Sequence, residues 1–362
     1  MLYGGQRVWM VIAILPGLIG RWTMASSPKF LAAILIVLLL MPAVGGCKLH
    51  ASSHRLEMDR AVSVSVIPLD WELADHESRQ LGQLRFIGGV ELNSPDSQFG
   101  GFSGMALSPE GDRLWAVSDR GNWLSAKLRL TGDGLPVKLE DVKMGPLLKP
   151  DGAFVAGKSQ SDAEELVIAP DGAMLVAFER RHRLLVYPPA LAPLSQRPIR
   201  LDLPPWLTNQ KANRGVEAMT YLADGRLLVV AEGGGGFETP AGIWNGSSWS
   251  ELRYACQPGL KPTAAALLPS GDVIFLERGY SPAAGFSVRM VRVKLQKTSA
   301  GARLEPEVLA DLSASLPAMD NFEALAVRPS PQGAYIYMLS DDNFSALQRT
   351  LLLLFDLVLH RP

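Results

Sequence analysis

Glu164, Glu217 and Glu323 stand at matching places in three segments, AEELVIAPDG, VEAMTYLADG and FEALAVRPSPQG, where each opens an apolar run that ends at a glycine-containing turn. Ser103 and Thr263 hold the same place in two further segments. A second column, formed by Asp119, Glu179, Glu232, Glu277 and Asp341, closes the apolar run beyond each turn. If the runs are strands of one closed ring, the first column converges on its axis, and carboxylates gathered there repel one another unless protonated, paired or bound to a cation. Such oxygen donors suit Ca²⁺ or another hard divalent cation better than zinc, which prefers His and Cys. Glu164, Glu217 and Glu323 are therefore the expected metal ligands, with Asp119 and Asp341 as candidates for a catalytic base or an additional ligand. Lys158, Arg120 and Arg214 flank the columns and would clamp an anionic substrate group. The alternative is that these acids and bases are strand-end caps and salt bridges between neighbouring elements.

The elements that must position these groups are repeats. FSGMALSPEGDRLWAVSDRG (102–121), AEELVIAPDGAMLVAFERR (163–181), VEAMTYLADGRLLVVAEGG (216–234), PTAAALLPSGDVIFLERG (262–279) and FEALAVRPSPQGAYIYMLSDDN (322–343) each read as strand, glycine turn and second strand. Their turn glycines, Gly111, Gly172, Gly225, Gly271 and Gly333, lie 61, 53, 46 and 62 residues apart, which leaves room for two more strands per unit. Segments 126–138, 183–187, 198–203, 241–254, 287–296 and 350–359 supply that material. Four strands per repeat predict an all-β propeller, and no helical periodicity supports a solenoid. Five repeats are clear. Residues 61–94 add strand material that would complete a sixth blade and pair with LLLLFDLVL (351–359), so that both chain ends close the ring and no sheet edge is left open.

Two familiar motifs fail on context. Residues 152–159 (GAFVAGKS) match the phosphate-loop pattern, but that loop needs a preceding strand and a following helix, and here a strand follows within a few residues. Gly101-Phe102-Ser103-Gly104 is the nearest fragment to a serine-hydrolase elbow, and its flanks are hairpin. Of five histidines only His76 and His182 fall in the body of the chain, where each reads as a surface residue. Any hydrolysis would rest on metal-bound water and a carboxylate base instead of a Ser-His pair. Eight Trp and seven Tyr without a basic background argue against nucleic-acid binding.

The 362 residues carry 35 Lys+Arg and 36 Asp+Glu, and residues 1–46 hold only Arg7, Arg21 and Lys29 of these. Without that segment 32 basic and 36 acidic residues remain, a net charge of −4 that fits neither a nucleic-acid binder nor a disordered tail. Apolar stretches at 8–20 and 30–44 are each shorter than the roughly 20 residues of a bilayer-spanning helix. Lys29, the second stretch and Val44-Gly45-Gly46-Cys47 form the zones of a secretory signal, and the Cys resembles a bacterial lipobox. The resemblance implies lipidation of Cys47 and, with Lys48 next to it, an outer-membrane destination. Met24 is an alternative start that leaves a 23-residue leader. A cleaved signal with an incidental Cys47 and an uncleaved anchor are the competing readings. The expected organisation is a leader (1–46), a polar tether (47–60) and a propeller (61–362), with Cys256 left as a single thiol.

GGFSGMALSPEGDRLWAVSDRGNW, SDAEELVIAPDG, NRGVEAMTYLADGRLLVVAEGG and MDNFEALAVRPSPQGAYIYMLSDDNF resemble, in that order, the phytase-like propeller family named for an esterase-like activity of phytase. The likeness spans about residues 82–359. It implies an exported propeller acting on phosphate or carboxylic esters, and it carries over no catalytic residues. The Asp-rich signature of calcium-dependent propeller phytases is absent. The expected function is thus an envelope-anchored, metal-assisted ester or phosphoester hydrolase. The competing class is a non-catalytic propeller that binds a protein or glycan partner.

Overall fold

A computed structural model describes residues 59–70, 79–233, 236–283, 285–295, 300–313, 316 and 320–358. Cys47, Met24 and residues 47–58 of the tether lie outside these residues, as does His76; Arg60, expected in the tether, already belongs to a strand.

Each repeat opens with the predicted hairpin. The amide of Gly111 donates to the Ser108 carbonyl, and Gly172, Gly225, Gly271 and Gly333 donate to Ala169, Leu222, Leu268 and Ser330 in the same way. The first four of these glycines have positive φ (71°, 85°, 82° and 87°), the left-handed conformation that closes the turn into the second strand. The second strands, such as Met174–Phe178 and Leu227–Ala231, are buried along their whole length. Sheets therefore cover both of their faces, which explains the continuous apolar runs.

The sheets form five blades, antiparallel except for Arg303–Leu304, which joins the third in parallel. Blade 1 runs from Phe102–Leu107 at the centre through Arg113–Ser118 and Asn122–Leu130 to Pro136–Pro146, with Arg60–Ala61 added at its edge. Blade 2 comprises Ala163–Ile168, Met174–Phe178, Arg183–Tyr187 and Ile199–Leu201. Blade 3 comprises Val216–Tyr221, Leu227–Ala231, Glu238–Trp244 and Trp249–Ala255, and blade 4 Lys261–Leu267, Val273–Ser281, Gly285–Val293 and Pro306–Asp311. Blade 5 takes Phe322–Pro329, Gly333–Ser340 and Leu351–Val358 from the C-terminal end and Leu84–Asn93 from the N-terminal end.

The expected sixth blade is thereby corrected to five among the described residues. Leu84–Asn93 does pair with the last strand, as anticipated, with Leu352 opposite Val90 and Leu354 opposite Gly88. It completes the fifth sheet instead of founding another, and Ser65–Pro68 only borders it. The inner strands pack in sequence around the ring, and that of blade 5 returns to that of blade 1. Five apolar clusters fill the seams, one between each adjacent pair of blades, around fully buried side chains such as Phe178, Phe275, Phe322 and Phe355. Burial of each such side chain contributes about 1.5–3 kcal/mol.

Candidate functional site

One irregularity recurs in all five blades and builds the site. The pairing of inner and second strands slips by a residue between Phe102 and Gly104, Ala163 and Glu165, Val216 and Ala218, Pro262 and Ala264, and Phe322 and Ala324. The extra residues are Ser103, Glu164, Glu217, Thr263 and Glu323, the whole first column of the sequence. A β-bulge leaves its extra residue outside the ladder and re-aims its side chain. Four of the following positions are Gly104, Ala218, Ala264 and Ala324, small enough for the inner strands to approach one another. At Gly104 an added Cβ would lie 2.7 Å from the Leu166 nitrogen, so a larger residue would push blades 1 and 2 apart.

Around the bulges opens a polar mouth of about 240 Å³. It is lined by Ser103, Asp119, Asp162, Glu164, Glu179, Glu217, Glu232, Glu323 and Asp341 together with Lys158, Arg180, Arg278, Asn213 and Asn343. The three predicted ligands, both predicted base candidates and Lys158 thus share one opening. Arg120 and Arg214 are not among its lining residues. The Arg120 guanidinium instead stacks on Phe344, 3.2 Å from the ring centre. Four members of the second column reach the mouth. Glu277 is turned away into a buried network, where it accepts the Tyr254 hydroxyl at 2.8 Å and pairs with Arg289.

Part of the acid charge is paired across blade seams. Lys261 Nζ lies 2.8 Å from Glu232 Oε1, Arg278 lies 2.9 Å from Glu323 Oε1, and Glu179 Oε1 accepts the Gly215 amide at 3.1 Å. The salt-bridge reading therefore holds for Glu232 and Glu323. Among the described residues one group of three carboxylates could hold a metal ion: Asp162, Glu164 and Glu179, whose ligand oxygens lie within 4.8 Å of one another. This set shares only Glu164 with the expected trio. Asp162 escaped the sequence reading because it precedes the strand and belongs to neither column; its spacing of two from Glu164 was the available signal.

Burial first, and then repulsion by Glu323, Glu179 and Asp162, push Glu164 well above the ordinary glutamate range. Glu217 is raised likewise by burial and by Glu164 and Glu232. Burial raises Glu179 to about 7, Asp341 to about 8 with help from Glu323, and Asp119 to about 6 with help from Asp162. Arg120 and Lys158 hold Asp119 below its neighbours. Asp119 Oδ1 is buried without a hydrogen-bond partner.

The mouth has a floor. Glu165, 1% exposed, occupies the place held elsewhere by Gly or Ala, and the backbone N–H groups of Leu166, Ala265 and Met219 face its carboxyl group. Ala265 belongs to blade 4, which is not adjacent to blade 2, so the side chain crosses the axis. On the other side the inner strands enclose a mostly apolar cavity of about 430 Å³.

Gly152–Ser159, the phosphate-loop lookalike, is the connector between blades 1 and 2. Its Lys158 starts a four-residue helix, Lys158–Ser161, at the rim of the mouth. His182 is half-buried, with Nε2 3.0 Å from the Lys211 carbonyl. Cys256 is a free, half-buried thiol that burial and Glu277 raise to about 11, which makes it a poor nucleophile.

Comparison with known proteins gives one family. The family model described as phytase-like, esterase-like activity of phytase, matches residues 97–344. Solved structures with a similar fold include a protein described as a gluconolactonase (14% identity, TM-score 0.41, 75% of this chain and 80% of that one). Virginiamycin B lyase from Staphylococcus aureus is another (10%, 0.39, 82% and 100%), and a luciferin-regenerating enzyme a third (12%, 0.37, 72% and 93%). No curated protein matches the sequence.

Proposed function

The chain belongs to the phytase-like family described by an esterase-like activity of phytase, and from that membership we propose that its mouth hydrolyses an ester or phosphoester with the help of a divalent cation. The observation that carries the proposal is the convergence of Asp162, Glu164 and Glu179 within 4.8 Å, beside a carboxylate with an unpartnered oxygen, Asp119. The donor set is all oxygen, which fits Ca²⁺ or a similar hard cation. Burial and neighbouring carboxylates raise Glu164 and Glu179, and such a cation would relieve both. When bound, the cation supplies Lewis acidity and a more acidic water.

The chain's own groups account for the rest. In the overall reaction water adds to the acyl or phosphoryl centre, the ester C–O or P–O bond breaks, and an acid and an alcohol are released. Asp119, near 6, is ionised at neutral pH and basic enough to accept the proton of the attacking water. Asp341, near 8, is protonated there and can return a proton to the leaving oxygen. Lys158 and Arg180 present positive charge to an anionic group at the rim.

A panel of aryl esters and aryl phosphoesters, assayed with Ca²⁺ or with chelator, tests this reading. Turnover that chelation abolishes and Asp119→Asn lowers at least a hundredfold supports it. Absence of any turnover favours a binding module. The proposal extends to placement: a lipid on Cys47 tethers the propeller to the outer membrane. Fatty-acid labelling that survives Cys47→Ser would overturn that part.

A further inference from the structure

Beside the acidic mouth lies a cavity of opposite charge. It has a volume of about 540 Å³ and is lined by Lys149, Arg180, Arg181, His182, Arg183 and Arg200 with no carboxylate among its lining residues. The connectors into blade 2 and from blade 2 to blade 3 form its walls, through Gln160 on one side and Thr208 and Gln210 on the other. Neutralisation is incomplete. Arg180 pairs with Asp162, Lys149 with Asp151 at 3.6 Å and Arg200 with Asp202 at 3.3 Å. Among the described residues no ion pair involves Arg181 or Arg183.

Arg183 is also held in place. Arg183 donates to the carbonyls of Gln160 and Arg181, at 3.0 Å for the latter, and its guanidinium lies 4.0 Å from the centre of the Phe178 ring. Burial and the neighbouring Arg200 and Arg181 push Arg183 down to about 10, which leaves it charged at neutral pH. The Nδ1 atom of His182 is buried without a partner. Several donors of one sign in a concave site favour a compact multivalent oxyanion, and arginine forks match phosphate in particular.

Arg180 lines both openings: it pairs with Asp162 in the acidic mouth and contributes to the wall of the cationic cavity. We infer that the cationic cavity is a phosphate-binding subsite of the mouth. The substrate then carries a phosphate group apart from the ester bond that is broken; this second statement rests on the hydrolase reading above, whereas phosphate binding does not.

Calorimetric titration of the full chain with inorganic phosphate, in the presence of chelator, tests the cavity without the cation. Saturable binding is expected, weakened at least tenfold by Arg181→Glu and by Arg200→Glu, with Arg129→Glu, a charge reversal at an exposed position in the third strand of blade 1, as the control that leaves it unchanged. Absence of saturable binding, or equal binding by all three variants and the parent, would overturn the subsite. An aryl ester with and without a phosphate substituent then tests its role in selection. The ratio of kcat/KM for the two esters falls at least tenfold in Arg181→Glu if the subsite selects substrate, and an unchanged ratio refutes that role. Loss of all turnover alongside intact phosphate binding would count against the hydrolase reading alone. Phosphate-headgroup vesicles that bind with the same dependence on Arg181, while soluble phosphate does not, would reassign the cavity to a membrane surface and overturn the proposal.

Discussion

Glu164 and Glu165 are consecutive in the inner strand of blade 2, yet Glu164 lines the open mouth while Glu165 closes the channel beneath it, accepting the Leu166 amide at 2.9 Å. The one-residue slip against Ala177 and Phe178 makes this division possible, because it frees Glu164 from the ladder without displacing the residue that follows.

Replacing Glu165 by Ala leaves the Leu166 amide without its acceptor and opens a void on the axis. A loss of about 2 kcal/mol is expected. Glu165→Gln keeps one carbonyl oxygen and removes a carboxyl that burial already disfavours as an ion, so it should stay within about 0.5 kcal/mol of the parent. Urea midpoints at constant m would show this order, and a Gln variant as unstable as the Ala variant would contradict it.

The raised carboxyls make stability depend on pH. Below about pH 4 Glu179 and Asp341 are protonated in both folded and unfolded chains and contribute nothing. As pH rises the unfolded chain ionises first, so the native state holds more protons and loses stability progressively until about 7 for Glu179 and about 8 for Asp341. With chelator, Tm should therefore be lower at pH 8 than at pH 5. A divalent cation that competes with those protons should raise Tm more at pH 8 than at pH 5, and an equal rise at both values would count against cation binding in the mouth.

Glu164→Gln and Asp162→Asn each remove a charged donor from the close set. Each should weaken Ca²⁺ binding at least tenfold by calorimetry. Glu217→Gln, outside that set although in the same mouth, should cost less. Equal losses for Glu217 and Asp162 would restore the glutamate trio as the ligand set.

Gly104→Ala places a methyl 2.7 Å from the Leu166 nitrogen and 2.8 Å from the Glu165 Cα, both backbone atoms that cannot rotate away. A loss of about 1–3 kcal/mol is expected. Thermal unfolding unaffected by the substitution would show that blades 1 and 2 can separate without cost.

The sequence by itself determined the repeat, its strands and the first column. Turn glycines and apolar runs are local features, and five copies make their common positions visible. It therefore located Glu164, Glu217 and Glu323 on one end of the inner strands, as well as the pairing of the chain's last strand with its early residues. Tertiary structure alone decided the number of blades, because whether Leu84–Asn93 founds a sheet or completes one depends on packing against Leu351–Val358, far away in the chain. It also decided which acids meet. Asp162, Lys158 and the Arg180–Arg183 run sit at blade ends and in connectors that follow no repeat, so their convergence depends on how adjacent blades are inclined around the axis. Glu277 matched its column in sequence and left it in space because Arg289 and Tyr254 offered a buried alternative partner.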